Sequence, residues 1–139
     1  MSFLLDTNVL SETLRPRGDA RVLNWLAAAP AETLHISVLT IGEIRKGVEK
    51  PGLSTSKRQR IQVWLEQGLA DWFGPRILPV TQPVAERWGL LLARAGRSVP
   101  AIDSLLAATA LHHDLQLVTR NVKDFQAFAD LRVFNPWDA

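Results

Sequence analysis

Five polar side chains in this sequence stand where chemistry is commonly placed: Asp6, Glu43, Asp103, Asn121 and Asp124. Asp6 closes the apolar run Phe3-Leu4-Leu5, and Glu43 lies two turns into an amphipathic stretch behind Leu34-His35-Ile36. Asp103 opens a stretch rich in Leu and Ala, and Asn121 and Asp124 follow Leu115-Gln116-Leu117-Val118. Singly, each acid has an ordinary role. Asp6, Asp103 and Asp124 suit helix starts, and Glu43 suits a solvated helix face beside Lys46. Together they do not. Two unit charges ~4 Å apart repel by about 4 kcal/mol at an effective dielectric of about 20. Carboxylates gathered at one edge therefore require a cation. An all-oxygen set favours a hard one, magnesium or manganese, over zinc or copper. Such an ion keeps several waters and binds phosphate oxygens, which points to metal-assisted hydrolysis of a phosphodiester.

The chain offers little for other chemistries. It has no cysteine, so disulfides, thiolate metal sites and cysteine nucleophiles are excluded. His35 falls within an apolar strand pattern, and His112 and His113 fall late in a helix pattern. All three read as structural or solvated.

The elements that must position the acids are short. Strands are expected at 3–5, 34–36, 77–78, 115–118 and 132–134, because apolar runs of this length are bounded by turn residues or helix starts. Between them, helical periodicity predicts helices over 8–14, 20–29, 38–48, 56–72 and 103–113, and one from an N-cap at Thr81 to Ala95. A short helix begins near Val122. Residues 50–57, with Pro51 and Gly52, read as a loop. Short strands separated by helices imply an α/β fold, a parallel sheet of about five strands flanked by helices. In such sheets ligands bind beyond the carboxyl ends of the strands, where strand order reverses. The acids follow the strands, as that rule requires.

Length and composition agree. The 139 residues fit one domain spanning 1–139, with 47% apolar and 22% charged side chains, close to the globular average. A net charge of +2 is compatible with RNA without demanding it. The early Asp6 and Glu12 interrupt any signal-peptide core, and no run approaches ~20 apolar residues, so a cytoplasmic protein that does not span a membrane is expected. The apolar run Leu105–Leu111 reads as a buried helix.

At these residues the chain resembles the PIN-domain family, and within it the toxin branch typified by VapC and FitB. The resemblance rests on Leu4-Leu5-Asp6-Thr7-Asn8, Ser37-x-x-Thr40-x-x-Glu43 and Ala101-x-Asp103. Thr119-Arg120-Asn121-x-x-Asp124-Phe125 and the terminal Phe134-Asn135-Pro136-Trp137 complete it, in order along the whole chain. It implies a PIN fold and a Mg2+-dependent endoribonuclease acting as a toxin, with Mn2+ as a substitute ion. It also implies a cognate antitoxin and a homodimer. Asp6, Glu43 and Asp103 map onto the family's metal-binding acids. The fourth acidic position matches Asn121, which carries no charge, and Asp124 is the candidate to supply it. Thr7, Asn8 and Thr119 are expected to orient the carboxylates by hydrogen bonds. Arg15, Arg45 and Arg120 are expected to contact substrate or antitoxin, and Lys57, Arg58 and Arg60 form a denser basic group. Trp25, Trp64 and Trp88 read as core or interface. The alternative is a catalytically weak PIN-like module that binds without cleaving, favoured only by the neutral Asn121.

Overall fold

A computed structural model describes residues 1–139. Its centre is β1 (Phe3–Leu5), and the five strands lie in the order β3-β2-β1-β4-β5, every pair parallel. The others are β2 (Leu34–Ser37), β3 (Ile77–Leu78), β4 (Gln116–Val118) and β5 (Val133–Phe134). The chain therefore builds outward from β1 through β2 to β3, then crosses back to lay β4 against the other side of β1. Strand order reverses between β1 and β4, as the rule for ligand sites in open parallel sheets requires.

Alternation along β1 creates two cores. Successive side chains of a strand point to opposite faces, and both Leu4 and Leu5 are fully buried. Leu5 joins the larger cluster, with Val9 and Leu10 of α1 (Thr7–Glu12), Val22 and Leu26 of α2 (Ala20–Ala28), and Ile44 and Val48 of α3 (Val38–Val48). Leu4 joins the smaller one, with Leu106, Ala107 and Ala110 of α7 (Ala101–His112) and with Phe125 and Phe128. Between these lie α4 (Thr55–Val63), α5 (Leu69–Phe73) and α6 (Gln82–Arg94). Helix α7 is buried from Leu106 to Ala110, within the apolar run Leu105–Leu111. No helix is long and apolar enough to cross a membrane.

Three local features depart from the expected pattern. The 50–57 loop is shorter, because Ser54 accepts a hydrogen bond from the Lys57 N–H and starts α4 at Thr55. The helical stretch that follows is not regular: Trp64–Gly68 form a π turn joining α4 to α5. Helix α7 begins at Ala101, with Pro100 rather than Asp103 at its start. It ends on Asp114, whose φ of 54° is the left-handed conformation that a short polar side chain tolerates. The Leu115 N–H then donates to the Ala110 carbonyl at 2.8 Å and the Asp114 N–H to that of Leu111, a Schellman closure that turns the chain into β4.

Arg76 fixes the entry to β2. Its guanidinium donates to the carbonyls of Ala31, Leu34 and Trp72, tying the first residue of β2 to the end of α5. Charge-assisted hydrogen bonds are worth ~1.5–3 kcal/mol each, less when partly exposed. Arg76→Ala is expected to cost about 2–3 kcal/mol, read as a lower urea midpoint at unchanged slope. Arg76→Lys recovers only part of it, since one ammonium cannot span the three carbonyls in the guanidinium's geometry.

Candidate active site

Asp6 sits directly past the end of β1, and its backbone N–H extends the ladder by donating to the Val118 carbonyl at 2.9 Å. The side chain is only 8% exposed. Oδ1 accepts the Thr7 N–H at 2.8 Å, so Asp6 does cap α1, as its ordinary role predicts. Oδ2 accepts the Thr119 hydroxyl at 2.8 Å and the Asn8 amide at 3.4 Å. Thr119, wholly buried past the end of β4, takes the Asn121 N–H on the same hydroxyl at 3.0 Å. The Asn8 side-chain oxygen Oδ1 in turn accepts the Arg120 backbone N–H at 3.3 Å. Capping and orientation are thus one device: the carboxylate is clamped across the seam between β1 and β4.

Glu43 approaches from α3, which starts where Ser37 accepts the Leu39 N–H at 3.0 Å. It is exposed and enters no ion pair with Lys46. The Thr7 hydroxyl donates to its Oε1 at 2.7 Å, and the Thr7 oxygen lies 3.4 Å from the buried Thr40 hydroxyl. Thr40, part of the Ser37-x-x-Thr40-x-x-Glu43 pattern, thus joins the site through Thr7, its three-residue spacing from Glu43 putting both on one helix face.

Asp103 lies in the first turn of α7, partly buried, with no hydrogen-bond partner for its carboxylate, so it does not cap the helix. Its turn is fixed by its neighbour. The buried Ser104 hydroxyl bonds the carbonyls of Pro100 and Ala101 at 2.9 Å, and accepts the Trp88 indole N–H from α6 at 2.8 Å. Trp88 therefore has a positioning role that its apolar surroundings in the sequence do not reveal. Asp124 and Asn121 are exposed beside the 3-10 turn Val122–Phe125, and the Asn121 amide caps nothing.

The electrostatics tie the four acids together. Burial raises the Asp6 carboxyl above the usual carboxylate range; the Thr119 and Thr7 donors oppose this, and the charges of Glu43 and Asp124 reinforce it. Asp103 is pushed up to about 6, first by burial and then by Asp124, Asp6 and Glu43. Asp124 thus contributes to the raised carboxyls of both Asp6 and Asp103. None of the four acids enters an ion pair. The donor set is therefore all oxygen, anionic and without an internal cation, which fits a hard divalent ion. No three acids or imidazoles stand close enough to hold an ion between them. An arrangement this open suits an ion that takes one or two carboxylates and keeps its waters.

The expected arginines separate. Arg45 pairs with Glu66 at 2.9 Å and Glu49 at 3.6 Å. Arg120 stacks over the Trp137 ring, 5.1 Å from its centroid. Arg15 lies 3.6 Å from the buried Glu12 and borders a groove beside Glu43.

A family model described as "PIN domain" matches residues 3–131. Toxin FitB of Neisseria gonorrhoeae is 41% identical over 137 residues, covering 96% of this chain and 97% of that protein. The VapC ribonuclease Y4jK of Sinorhizobium fredii is 34% identical, covering 97% of each. A crystal structure of FitAcB from N. gonorrhoeae superposes with a TM-score of 0.90 at 40% identity over 99% of each chain.

The raised Asp103 carboxyl has a consequence for stability. The folded chain holds that proton up to about pH 6, whereas the unfolded chain releases it near 3.8. Stability of the metal-free protein should therefore fall as pH rises from about 4 to about 6, and stay lowered above. Asp103→Asn removes this penalty: thermal melts in chelator should show a higher midpoint than wild type at pH 7.5 and little difference at pH 4.

Proposed function

Because the chain belongs to the PIN-domain family, we propose that it is a Mg2+-dependent endoribonuclease, the toxin of a toxin–antitoxin pair. The observation that carries this reading is the uncompensated carboxylate group at the reversal of strand order, with Asp6 locked by Thr7, Asn8 and Thr119. The relatives named as a toxin and as a ribonuclease support it over nearly the full chain.

Asp6 and Asp103 would hold the ion, with Glu43 reaching it through water. When bound, Mg2+, or Mn2+ in its place, supplies Lewis acidity for the phosphate and a more acidic water. The chain's own groups do the remainder. Asp6 presents a carboxylate that its three donors prevent from turning. Glu43 has one oxygen held by Thr7 and the other free to accept a proton from the attacking water. Asp124 adds negative charge that strengthens cation binding. The products would carry a 5′-phosphate and a 3′-hydroxyl. The resemblance to the toxin branch also assigns a cognate antitoxin that blocks the site, and a homodimer. The exposed Leu90 and Leu92 of α6 offer apolar surface for such association.

The test is a map of RNA 5′ ends after brief expression without antitoxin, against Asp6→Asn at equal level. New 5′-phosphate ends with wild type alone are expected, and in vitro cleavage should stop with chelator and return with Mg2+. Identical maps from folded proteins would overturn the nuclease reading and leave a PIN-like binding module.

A further inference from the structure

Two grooves flank the carboxylate site and meet at Glu43. The first, about 550 Å³, is bordered by Thr7, Arg15, Lys57, Arg60 and Trp64. It continues outward into a smaller cleft lined by Ser56, Lys57 and Arg60. The second, about 510 Å³, runs between α3 and the start of α7, with Val38, Lys46, Lys50 and Ile102. Glu43 and Gly47 line both, so the outer face of α3 is the ridge between them.

Each groove combines free cations with apolar surface. Lys46, Lys50, Lys57 and Arg60 enter no ion pair, although Arg15 and Arg45 nearby do. Val38 and Ile102 are 40% and 37% exposed, and Trp64 is only partly covered. Unpaired cations on both sides of an acidic centre suit a ligand that is anionic along its length, not a compact anion. The Trp64 ring in the first groove suits stacking of an unpaired base, and Val38 and Ile102 add apolar contact in the second. An acidic polypeptide on the same line would set its carboxylates against Asp6, Glu43, Asp103 and Asp124. A phosphodiester shares a divalent ion with them instead. The ridge itself is bare. A Cβ added at Gly42 or Gly47 would meet nothing within 4 Å, so packing gives no reason for glycine in a helix it weakens.

We propose that single-stranded RNA crosses the site over the outer face of α3, one flank in the Lys57/Arg60 groove and the other in the Lys46/Lys50 groove. The ribonuclease reading names the polymer; the two-sided path rests on the grooves and their unpaired cations.

Binding separates the two. A short fluorescent single-stranded RNA of mixed sequence is titrated onto the Asp103→Asn protein, which removes cleavage, across a salt series. Lys57→Ala/Arg60→Ala and Lys46→Ala/Lys50→Ala should each weaken binding ~10-fold and lower the salt slope by about 1.4, at ~0.7 per lost phosphate contact. Shortening the RNA from one end should abolish the effect of one pair, and shortening from the other end that of the second. Gly47→Ala should raise the melting temperature while weakening RNA. Loss in neither pair or in only one, equal affinity for duplex RNA, or the same two-sided dependence with polyglutamate would overturn the path, even where wild type cleaves RNA. Two-sided binding by a protein that never cleaves would uphold the path and remove the ribonuclease reading.

Discussion

The site depends on keeping one carboxylate in a place that disfavours its charge. Asp6 stands nearly buried past the central strand, and burial acts on its ionisation more strongly than any single neighbour. Thr7, Asn8 and Thr119 hold it there with a backbone N–H, an amide and a hydroxyl, none of which carries a charge. A lysine or arginine in their place would neutralise Asp6 and remove the field that attracts a cation. Neutral donors orient the group and leave its charge uncompensated, which separates this arrangement from a structural salt bridge. The tight turn of chain from β1 into α1, with Asp6 as cap, makes the same side chain a structural element and a chemical one.

The remaining acids are supported independently. Glu43 depends on α3 and on the Thr7 hydroxyl, and Asp103 on the Trp88–Ser104 contact between α6 and α7. Asp124 depends on a single 3-10 turn anchored by the buried Phe125. Only Thr7 serves two acids, its backbone N–H holding Asp6 and its hydroxyl holding Glu43.

The sequence made the site legible through position. Acids placed directly after apolar runs are conspicuous, and the rule that parallel sheets bind ligands at their carboxyl edge converts that placement into proximity. The five strands, the all-parallel sheet and the buried α7 were legible for the same reason, since apolar period and length are local properties. What depended on tertiary contact was not. Arg76 reaches carbonyls on three segments, and nothing in its neighbourhood marks it apart from other arginines. Arg45 lies two residues from Glu43, which on a helix turns it to nearly the opposite side, and its partners are Glu49 and Glu66. The π turn at Trp64–Gly68 was hidden because one extra residue per turn barely disturbs a short apolar pattern.

The division of the core by β1 has a consequence for how such a site changes over time. Glu43 rides on a helix packed into the larger cluster, whereas Asp103 and Asp124 ride on elements packed into the smaller one. Asp6 sits on the strand between. The spacing of the acids is therefore the distance between two separately packed layers. A methyl gained or lost in either layer resets that spacing without altering a single acid. Selection on rate can thus act through residues such as Leu69 or Leu106, buried away from both grooves, and leave the four carboxylates unchanged.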